Sequence, residues 1–478
     1  MWFEVNRFHL LTFVSWQFSI ILGGQNIFGI FTNNIPKWKC ADSEPTNNCS
    51  VYLACPKENL TFVDPQFMSI AMEFDWICGT TVYLRSLSLQ IQYFGVLLGT
   101  LTLGALSDIF GRKPMGVTVL SLAIFNTFAS GLAVNAPMYI AIRFLLGYSL
   151  GGFSVVLCPW IMEMLLPQQR IVLRGFFNWG WTRIILTATC YFFREWRTTL
   201  FVAALSATPA LFLVTFVIPE SPTWLHSKGR TVKMIQSEKK MARVAGVPYV
   251  PLPHQPIIHS KGIIETLRTK GLFKKISVLW FMWFVAGISG YANDLNSNTV
   301  TGDLYSNQLL FGVILVISKL LLLFADTIFN NFKRRTLHQG AQLSAVVCFI
   351  SLTLFITYNY HGTGFLIVNL LGTVFIEYTW DACYLCAIES METSCRSSAT
   401  GSCSLMARVG SLLAPVLTYA TTLWPPAVFV TVSILGSCSF LISYLFLHET
   451  KNVNLDNVHI DDDEKSPEEV PMVSRIQK

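Results

Sequence analysis

Two basic side chains lie inside long apolar segments of this 478-residue chain. Lys319 falls within the apolar stretch 306–327, and Arg408 falls within 400–423. A charge at the depth of a lipid bilayer costs at least about 2.5–3.5 kcal/mol, so such a residue usually faces a cavity and has a function. Arginine presents a planar fork that fits a carboxylate or a sulfate, whereas lysine acts as a point charge. The two residues therefore predict a cavity that attracts anions.

The alternative is that each cation pairs with an acid of a neighbouring segment. Glu377 and Asp381, both within the stretch 362–388, are available for this. Arg408 lies well inside its segment and cannot easily reach either membrane surface, which favours contact with a ligand. For Lys319 the two interpretations are evenly matched.

The composition is that of a membrane protein. Of the residues, 52% are hydrophobic and 13% are charged, with a mean hydropathy of +0.49, whereas soluble domains carry about 25% charged residues. A soluble enzyme or nucleic-acid-binding protein is excluded. One spanning helix needs roughly 20 apolar residues, and the apolar runs are continuous, which favours helices over a membrane barrel. The predicted spans are 10–31, 89–108, 115–134, 137–158, 173–193, 198–218, 276–295, 306–327, 338–358, 362–388, 400–423 and 425–447.

The placement of basic residues predicts the orientation in the membrane. Lysine and arginine are concentrated in loops that follow even-numbered spans, and the most basic is 226–275. The positive-inside rule then places both termini in the cytoplasm. Short basic segments also occur in nucleic-acid-binding proteins, but their strict alternation with the spans favours a topological origin. We expect the lipid bilayer, and no nucleic acid, as a partner.

The loop between the first two spans, 32–88, is then extracellular. An exported loop with an even number of cysteines favours two disulfides, whose pairing the sequence leaves open. The alternative is free thiols and chance glycosylation sequons. The cysteines are Cys40, Cys49, Cys55 and Cys78, and the sequons begin at Asn48 and Asn59.

The remaining cysteines and the tail do not predict a metal site or a catalytic site. Cys383 and Cys386 form a C-x-x-C inside an apolar span without a second pair, so packing is favoured over zinc binding. We expect no metal and no cofactor. The polar, acidic tail 452–478 predicts a disordered cytoplasmic segment that could bind a partner or direct trafficking.

Charged pairs at the span ends recur in the two halves. Asp108 and Asp326 are 218 residues apart, and Glu163 and Glu389 are 226 apart. Similar offsets predict a repeat, with an N-terminal half 1–225, a linker 226–275 and a C-terminal half 276–451. Two parallel six-span repeats are the plan of major facilitator transporters, whose substrate binds at the membrane midplane between the halves. The pairs are Asp108 with Arg112, Glu163 with Arg170, and Glu389 with Arg396.

These pairs suggest a gate at the cytoplasmic rim. Charges that pair in one arrangement of the halves and separate in another form a bistable element. The alternative is that they are solvated helix ends. Their recurrence in both halves favours the gate.

Three motifs carry a resemblance to a known family. GALSDIFGRKP (104–114) resembles the loop motif of the major facilitator superfamily, and PESPTWL (219–225) resembles the organic ion transporter family within it. MARVGS (406–411) is similar to the organic anion transporter branch, where the cation branch typically has an acid in place of Arg408. The resemblance implies an all-α membrane protein of twelve helices in the 6+6 major facilitator fold.

The resemblance also implies a set of substrate-binding residues, together with departures from the family pattern. Gly287 and Ile288 replace an expected aromatic pair, which suggests a wider or differently shaped pocket wall. Asp381 and Arg183 are charges that the branch usually lacks, and SMETSCR (390–396) departs from the consensus. The implied substrate-binding residues are Asn26, Tyr191, Lys319, Trp380, Tyr384 and Arg408.

The resulting hypothesis is secondary or facilitative transport of small amphipathic organic ions, with anions favoured, by alternating access at the plasma membrane. We expect the protein to function as a monomer, and the resemblance implies exchange of substrate against an intracellular anion, as is frequent in the family. One alternative is a carrier of zwitterions or cations, which Asp381 would favour. Another is a transport-deficient receptor or partner protein, which the altered SMETSCR stretch and acidic tail would favour. The sequence shows no G-x-x-x-x-G-K-[ST] loop and no nucleophile–base or metal set, so neither ATP driving nor an enzyme is expected.

Overall fold

The computed structural model describes most of the chain as helices that run through two halves. The described residues are 5–41, 43–165, 167–251, 263–268, 272–297, 302–328, 333–360, 362–391 and 396–447. The acidic tail therefore lies outside them. The helices of the N-terminal half and linker are α1 (Arg7–Ile20), α2 (Gly29–Thr32), α3 (Cys49–Ala54), α4 (Ile70–Glu73), α5 (Tyr83–Phe110), α6 (Arg112–Gly131), α7 (Ala136–Gly152), α8 (Cys158–Glu163), α9 (Pro167–Phe176), α10 (Trp179–Phe192), α11 (Trp196–Phe212), α12 (Pro222–Ser227), α13 (Thr231–Ala245) and α14 (Ile263–Arg268).

The C-terminal half consists of long helices. Across both halves, ten helical segments of the described residues are long and apolar enough to cross a membrane. Widened helical turns continue α7 at Phe153–Leu157 and α11 at Leu213–Val217. The helices of the C-terminal half are α15 (Leu272–Asn296), α16 (Leu304–Ile328), α17 (Arg334–Thr357), α18 (Thr363–Glu389), α19 (Arg396–Ala420) and α20 (Ala427–Phe446).

Two of the twelve predicted spans are interrupted helices. The span predicted at 10–31 consists of α1, a tighter turn at Ile21–Asn26, and α2. A Cβ atom added to Gly23 within that turn would lie 3.2 Å from the ring of Trp179. The span predicted at 173–193 is divided between α9 and α10 at Asn178, whose backbone is extended and whose side chain accepts a hydrogen bond from the Gly180 amide. That N-cap starts a new helix in the middle of an apolar run.

Within each half, a glycine allows the backbones of two neighbouring helices to come into contact. A Cβ atom on Gly99 of α5 would lie 2.0 Å from the carbonyl oxygen of Tyr148 on α7. In the other half, a Cβ atom on Gly287 of α15 would lie 2.3 Å from the carbonyl oxygen of Ala407 on α19. The space beside Gly287 is therefore filled by the α19 backbone, which favours a differently shaped pocket wall over a wider one. The missing side chain brings α19 against α15 at the residue that precedes Arg408.

The halves meet along two pairs of helices. The α5 helix packs against α19, and α10 packs against α16. At the second crossing, a Cβ atom on Gly180 would lie 2.8 Å from the carbonyl oxygen of Gly312. Side chains of α5, α10, α16 and α19 therefore face the boundary between the halves.

The segment between α2 and α5 forms a disulfide-bonded loop at one end of the molecule, which we call the disulfide-loop end. Strands β1 (Trp38–Cys40) and β2 (Leu60–Phe62) pair antiparallel, with Trp38 opposite Phe62. The structure joins Cys40 to Cys55 and Cys49 to Cys78, the pairing that the sequence left open.

An acid of the same loop is tied to its surroundings. Asp75 accepts hydrogen bonds from the Lys57 ammonium and the Tyr52 hydroxyl, each at 2.7 Å. These two contacts hold the pKa of the Asp75 carboxyl below its ordinary value. We call the opposite end of the molecule, which carries α12 and α13, the linker end.

Candidate substrate site and rim charges

Arg408 projects from α19 beside the boundary between the halves. Its NH1 atom donates a hydrogen bond of 3.3 Å to the Tyr291 hydroxyl of α15. Its buried Nε atom has no hydrogen-bond partner among the described residues. No described carboxylate lies within ion-pair distance of the guanidinium, so the charge of Arg408 is met by a neutral hydroxyl alone.

A tyrosine pair links this arginine to the N-terminal half. The rings of Tyr291 and Tyr93 meet edge to face at 5.2 Å. The Tyr93 hydroxyl donates a hydrogen bond of 2.7 Å to the backbone carbonyl of Asn26. The Asn26 side chain is 9% exposed, and its Oδ1 atom lacks a partner among the described residues. Arg408 and Asn26 thus lie on either side of a tyrosine contact between the halves, each with an unused polar atom.

Lys319 is engaged by acids of the neighbouring helix. Its ammonium lies 2.9 Å from Glu377 Oε2 and 2.7 Å from Asp381 Oδ2. The two acids are four residues apart on α18 and therefore share one face of that helix. This is the internal pairing that the sequence left as the alternative, so Lys319 is a partner of α18 in this structure. We call Lys319, Glu377 and Asp381 the α16–α18 triad; its formal charge with all groups ionised is −1.

A second buried ion pair crosses between the halves. Arg183 NH2 of α10 lies 2.6 Å from Asp294 Oδ1 of α15, and their side chains are 1% and 13% exposed. The Arg183 guanidinium also lies 5.2 Å from the centre of the Phe311 ring. Arg183 is recognisable in the sequence as a charge inside an apolar span, whereas Asp294 was not predicted. Because the predicted span 276–295 ends one residue after Asp294, the apolar profile suggested a membrane boundary there.

Arg143 of α7 has a structural role. It is 1% exposed, and it donates hydrogen bonds to the side-chain and backbone oxygens of Gln25 at 3.0 and 3.1 Å. The rings of Phe28 and Tyr139 lie under its guanidinium. These contacts fix the interrupted first span against α7.

The aromatic residues predicted to bind substrate lie in two separate regions of the structure. Trp380 and Tyr384 pack against Trp283 with ring centres 5.7 and 5.9 Å apart. The Trp380 indole nitrogen lies 3.0 Å from the position of a Cβ atom on Gly290, so Trp380 packs against α15 one residue before Tyr291. Tyr191 packs edge-on against Tyr305 and is 48% exposed.

Tyr191 belongs to the disulfide-loop end. The Tyr305 hydroxyl donates a 2.7 Å hydrogen bond to the backbone of Gln66 in the disulfide-bonded loop. Among the described residues, the structure therefore gives Tyr191 no contact with Arg408, Asn26 or Trp380.

At the linker end, the N-terminal rim charges form a cluster around Arg112. Its NH1 atom lies 2.8 Å from Asp108 Oδ1, and its Nε atom lies 3.6 Å from Glu163 Oε1. Gly111 makes the turn between α5 and α6 with a φ of +116°, a conformation that residues with a side chain rarely adopt. Arg170 donates from Nε to the carbonyl oxygens of Met162 and Leu165. The side chains of Glu389 and Arg396 lie outside the described residues.

Within the described part of the chain, no cluster of three or more histidine, cysteine or acidic side chains could hold a metal ion. Cys383 and Cys386 are buried, and the Cys383 carbonyl accepts a hydrogen bond from the Trp283 indole. They contribute to the packing between α15, α18 and α19.

Comparison with solved structures identifies the fold of the protein. The proton:xylose symporter XylE superposes with a TM-score of 0.65 at 16% identity, covering 94% of this chain and 98% of the other. An inward-open structure of XylE from E. coli gives a TM-score of 0.64 over 94% of this chain and 98% of the other. The fold is that of a major facilitator superfamily transporter, as the sequence predicted.

Sequence relatives then define the family. The profile described as "Sugar (and other) transporter" matches residues 47–461, and the chain belongs to this family. F23F12.3 of Caenorhabditis elegans is 33% identical over 95% of this chain and 94% of its own. Solute carrier family 22 member 7 of Mus musculus is 28% identical over 81% of this chain and 73% of its own. Solute carrier family 22 member 15 of Xenopus tropicalis is 28% identical over 74% and 68%.

These relatives confirm the resemblance to the organic ion transporter branch. The protein is a multi-pass membrane transporter, and it is not an enzyme.

Proposed function

We propose that this transporter carries small amphipathic organic anions by alternating access, with Arg408 as the residue that meets the anionic group. The observation that carries the proposal is the set of contacts made by four cations that the described residues place deep in the spans. Lys319 and Arg183 contact carboxylates, and Arg143 is enclosed by Gln25 and two rings. Among the described residues, Arg408 has one neutral partner, and its buried Nε atom has no partner. A carboxylate or sulfate would supply the missing charge and acceptor.

The position of Arg408 supports a part in alternating access. Arg408 belongs to the C-terminal half and Asn26 to the N-terminal half, with the Tyr93–Tyr291 contact between them. A ligand that binds both halves can favour one arrangement over another only through differential contacts. An anion held by Arg408 that also carries a donor group, such as a hydroxyl or an ammonium, for Asn26 Oδ1 would provide such contacts. The Asp108–Arg112–Glu163 cluster at the linker end would then hold one end state, as a rim gate.

The remaining parts of the proposal concern the cell. We place the protein in the plasma membrane as a monomer, with both termini and the linker 226–275 in the cytoplasm and the loop 32–88 outside. Exchange against an intracellular anion is the coupling that the family resemblance favours.

The α16–α18 triad favours a second candidate, a carrier of zwitterions. Two carboxylates against one ammonium leave one excess negative charge when all three groups are ionised. A substrate with an anionic and a cationic group could then meet Arg408 with one end and this acidic region with the other.

An uptake panel tests both candidates. Cells that express the protein receive labelled anions, zwitterions and cations matched in size, with vector-transfected cells as the control. Saturable uptake that is highest for the anions supports the first candidate, and preference for the zwitterions supports the second. Surface protein with no saturable uptake of any member would refute transport of these classes and support the receptor alternative.

A further inference from the structure

A basic cavity opens at the linker end, outside the proposed substrate site. It has a volume of about 470 Å³ and lies between the turn that joins α5 to α6, the segment 219–225 and helix α13. The cations that line it are Lys113, Arg230, Lys233 and Lys240. We propose that this cavity binds a phosphate group, presented by the headgroup of an anionic lipid in the adjacent leaflet. This goes beyond the proposed transport function.

Glu220, the acidic residue that lines the cavity, already accepts hydrogen bonds from the backbone. Glu220 Oε1 accepts hydrogen bonds from the backbone amides of Lys113 and Ser221 at 2.9 and 3.0 Å. A Cβ atom on Gly111 would lie 2.6 Å from Glu220 Oε2, so the tight turn holds the carboxylate in place. The cavity is lined by four cations and one acid, and that acid already accepts two backbone hydrogen bonds. The charge of the cavity is therefore strongly positive.

Donor groups remain available on the cations. The Lys113 and Lys240 ammonium groups each donate one hydrogen bond to a backbone carbonyl at the end of the sixth span, those of Ile218 and Phe216. An ammonium has three donors, and the described residues accept one from each lysine, which leaves two for a ligand. Exposed Lys233 has no ion pair among the described residues. A multiply charged phosphate group fits these separated cations better than a single carboxylate does.

The surroundings favour a lipid over a soluble phosphate compound as the source of the group. Phe110, which lines the cavity at the end of α5, is 63% exposed, and so is Phe216 at the end of the sixth span. Exposed phenylalanines beside basic residues are typical of a membrane border, where apolar rings meet acyl chains and cations meet headgroups. Arg230 stacks on the Trp224 ring at 5.4 Å, which adds a rigid amphipathic wall.

Such a ligand would connect two parts of the chain. Lys113 belongs to α6 beside the rim cluster, whereas Lys233 and Lys240 belong to α13 of the linker. The Trp224 indole also donates a hydrogen bond of 3.2 Å to the backbone carbonyl of Asp108. A bound phosphate would therefore hold α13 against the turn that carries the rim charges.

The test measures binding and involves no transport. The full chain is purified into phosphatidylcholine nanodiscs and titrated with a dioctanoyl phosphoinositide bisphosphate, with the free inositol trisphosphate headgroup in a parallel arm. The variant Arg230→Gln/Lys233→Gln removes two cations of the cavity. The matched control Lys228→Gln/Lys239→Gln removes two exposed cations of the same segment outside it, where Lys239 lies over the Tyr249 ring.

We expect the wild type to bind the lipid, and each cavity cation removed to weaken binding about five-fold. The control pair should weaken it less than about two-fold. Both variants should melt at the wild-type temperature without lipid, and only the wild type and the control should be stabilised by it. Equal loss in both variants, or no binding to the wild type, would overturn the proposal. Equally tight binding of the free headgroup would overturn the lipid as the source.

Discussion

Arg183 and Asp294 form a buried ion pair between the two halves of the transporter, with 2.6 Å between the guanidinium NH2 and the carboxylate Oδ1. Arg183 projects from α10 and Asp294 from α15, so the contact lies beside the boundary that must rearrange during alternating access. Breaking a buried pair by removing one partner strands the other charge, whereas removing both is often tolerated. The pair is therefore both a structural requirement and a contact that movement of the halves must accommodate.

We predict that Arg183→Gln lowers surface protein strongly, because it leaves the Asp294 carboxylate buried without its partner at a cost of about 3–5 kcal/mol. The double variant Arg183→Gln/Asp294→Asn should regain much of the loss. Surface biotinylation and melting of the purified protein measure both effects. Arg194→Gln, which changes an exposed arginine just beyond α10, should resemble the wild type. A double variant no better than Arg183→Gln would show that the two charges are not coupled.

The α16–α18 triad predicts an asymmetric response. Lys319→Met leaves Glu377 and Asp381 on one helix face without a cation, so surface protein should fall markedly. Glu377→Gln or Asp381→Asn alone should be tolerated better, since Lys319 keeps the other acid at 2.7–2.9 Å. Quantitative surface labelling of the three variants tests the order. If either acid variant were as damaging as Lys319→Met, one acid would have a separate role, such as contact with a cationic substrate group.

The rim cluster predicts a kinetic effect separate from stability. The Asp108 side chain is 62% exposed whereas that of Arg112 is 17% exposed, so Asp108→Asn should leave surface protein close to the wild-type level. It should nevertheless slow transport, because its pair with Arg112 holds one end state. Arg112→Gln should reduce surface protein as well, since it removes the cation from Glu163. Uptake rates normalised to surface protein decide this; an unchanged rate in Asp108→Asn would make Asp108 a solvated helix end.

The disulfide-bonded loop predicts glycosylation. Asn48 and Asn59 are exposed, and the Asn48 side chain accepts a hydrogen bond from the Ser50 amide at the start of α3. If the loop is extracellular, enzymatic deglycosylation of surface protein should increase its mobility on a gel. Asn48→Gln/Asn59→Gln should abolish the shift, and each single variant should show which site is used. A wild-type protein without a shift would mean that neither sequon carries glycan.

The sequence predicted the fold well because apolar length and charge alternation act over whole spans. It could not place the breaks in the first and fifth spans, since these depend on where Trp179 meets Gly23 and on a cap formed by Asn178. By composition alone, both segments are continuously apolar.

The site was predicted less completely than the fold. Single cations were visible as exceptions in apolar spans, which identified Arg408 and Lys319. Their partners depend on helix packing, which the sequence does not give directly. Asp294 was missed because it lies one residue before the predicted end of its span, and Tyr93 and Tyr291 were missed because aromatic residues are common in spans. The structure distinguishes Lys319, which contacts two acids, from Arg408, which contacts a hydroxyl.

Arg408 carries the anion proposal, and its variants should affect binding more than surface level. Arg408→Lys keeps the charge but loses the two-pronged donor, so apparent affinity for anions should fall by about 1–2 kcal/mol, roughly ten-fold. Arg408→Ala should weaken anions further and spare any neutral substrate. Tyr291→Phe, which removes the hydroxyl that accepts from Arg408 NH1, should leave the charge in place and change affinity less.

The double variant Arg408→Ala/Asp381→Asn separates substrate contact from internal pairing. If Arg408 neutralised Asp381, the second change would restore surface protein lost in Arg408→Ala. We expect no such rescue, because Asp381 contacts Lys319 at 2.7 Å and its charge does not depend on Arg408. Concentration-dependent uptake, measured at matched surface levels for the single and double variants, gives both readouts. Wild-type anion affinity in Arg408→Ala at normal surface level would remove this arginine from the substrate site and leave the α16–α18 triad as the next region to test.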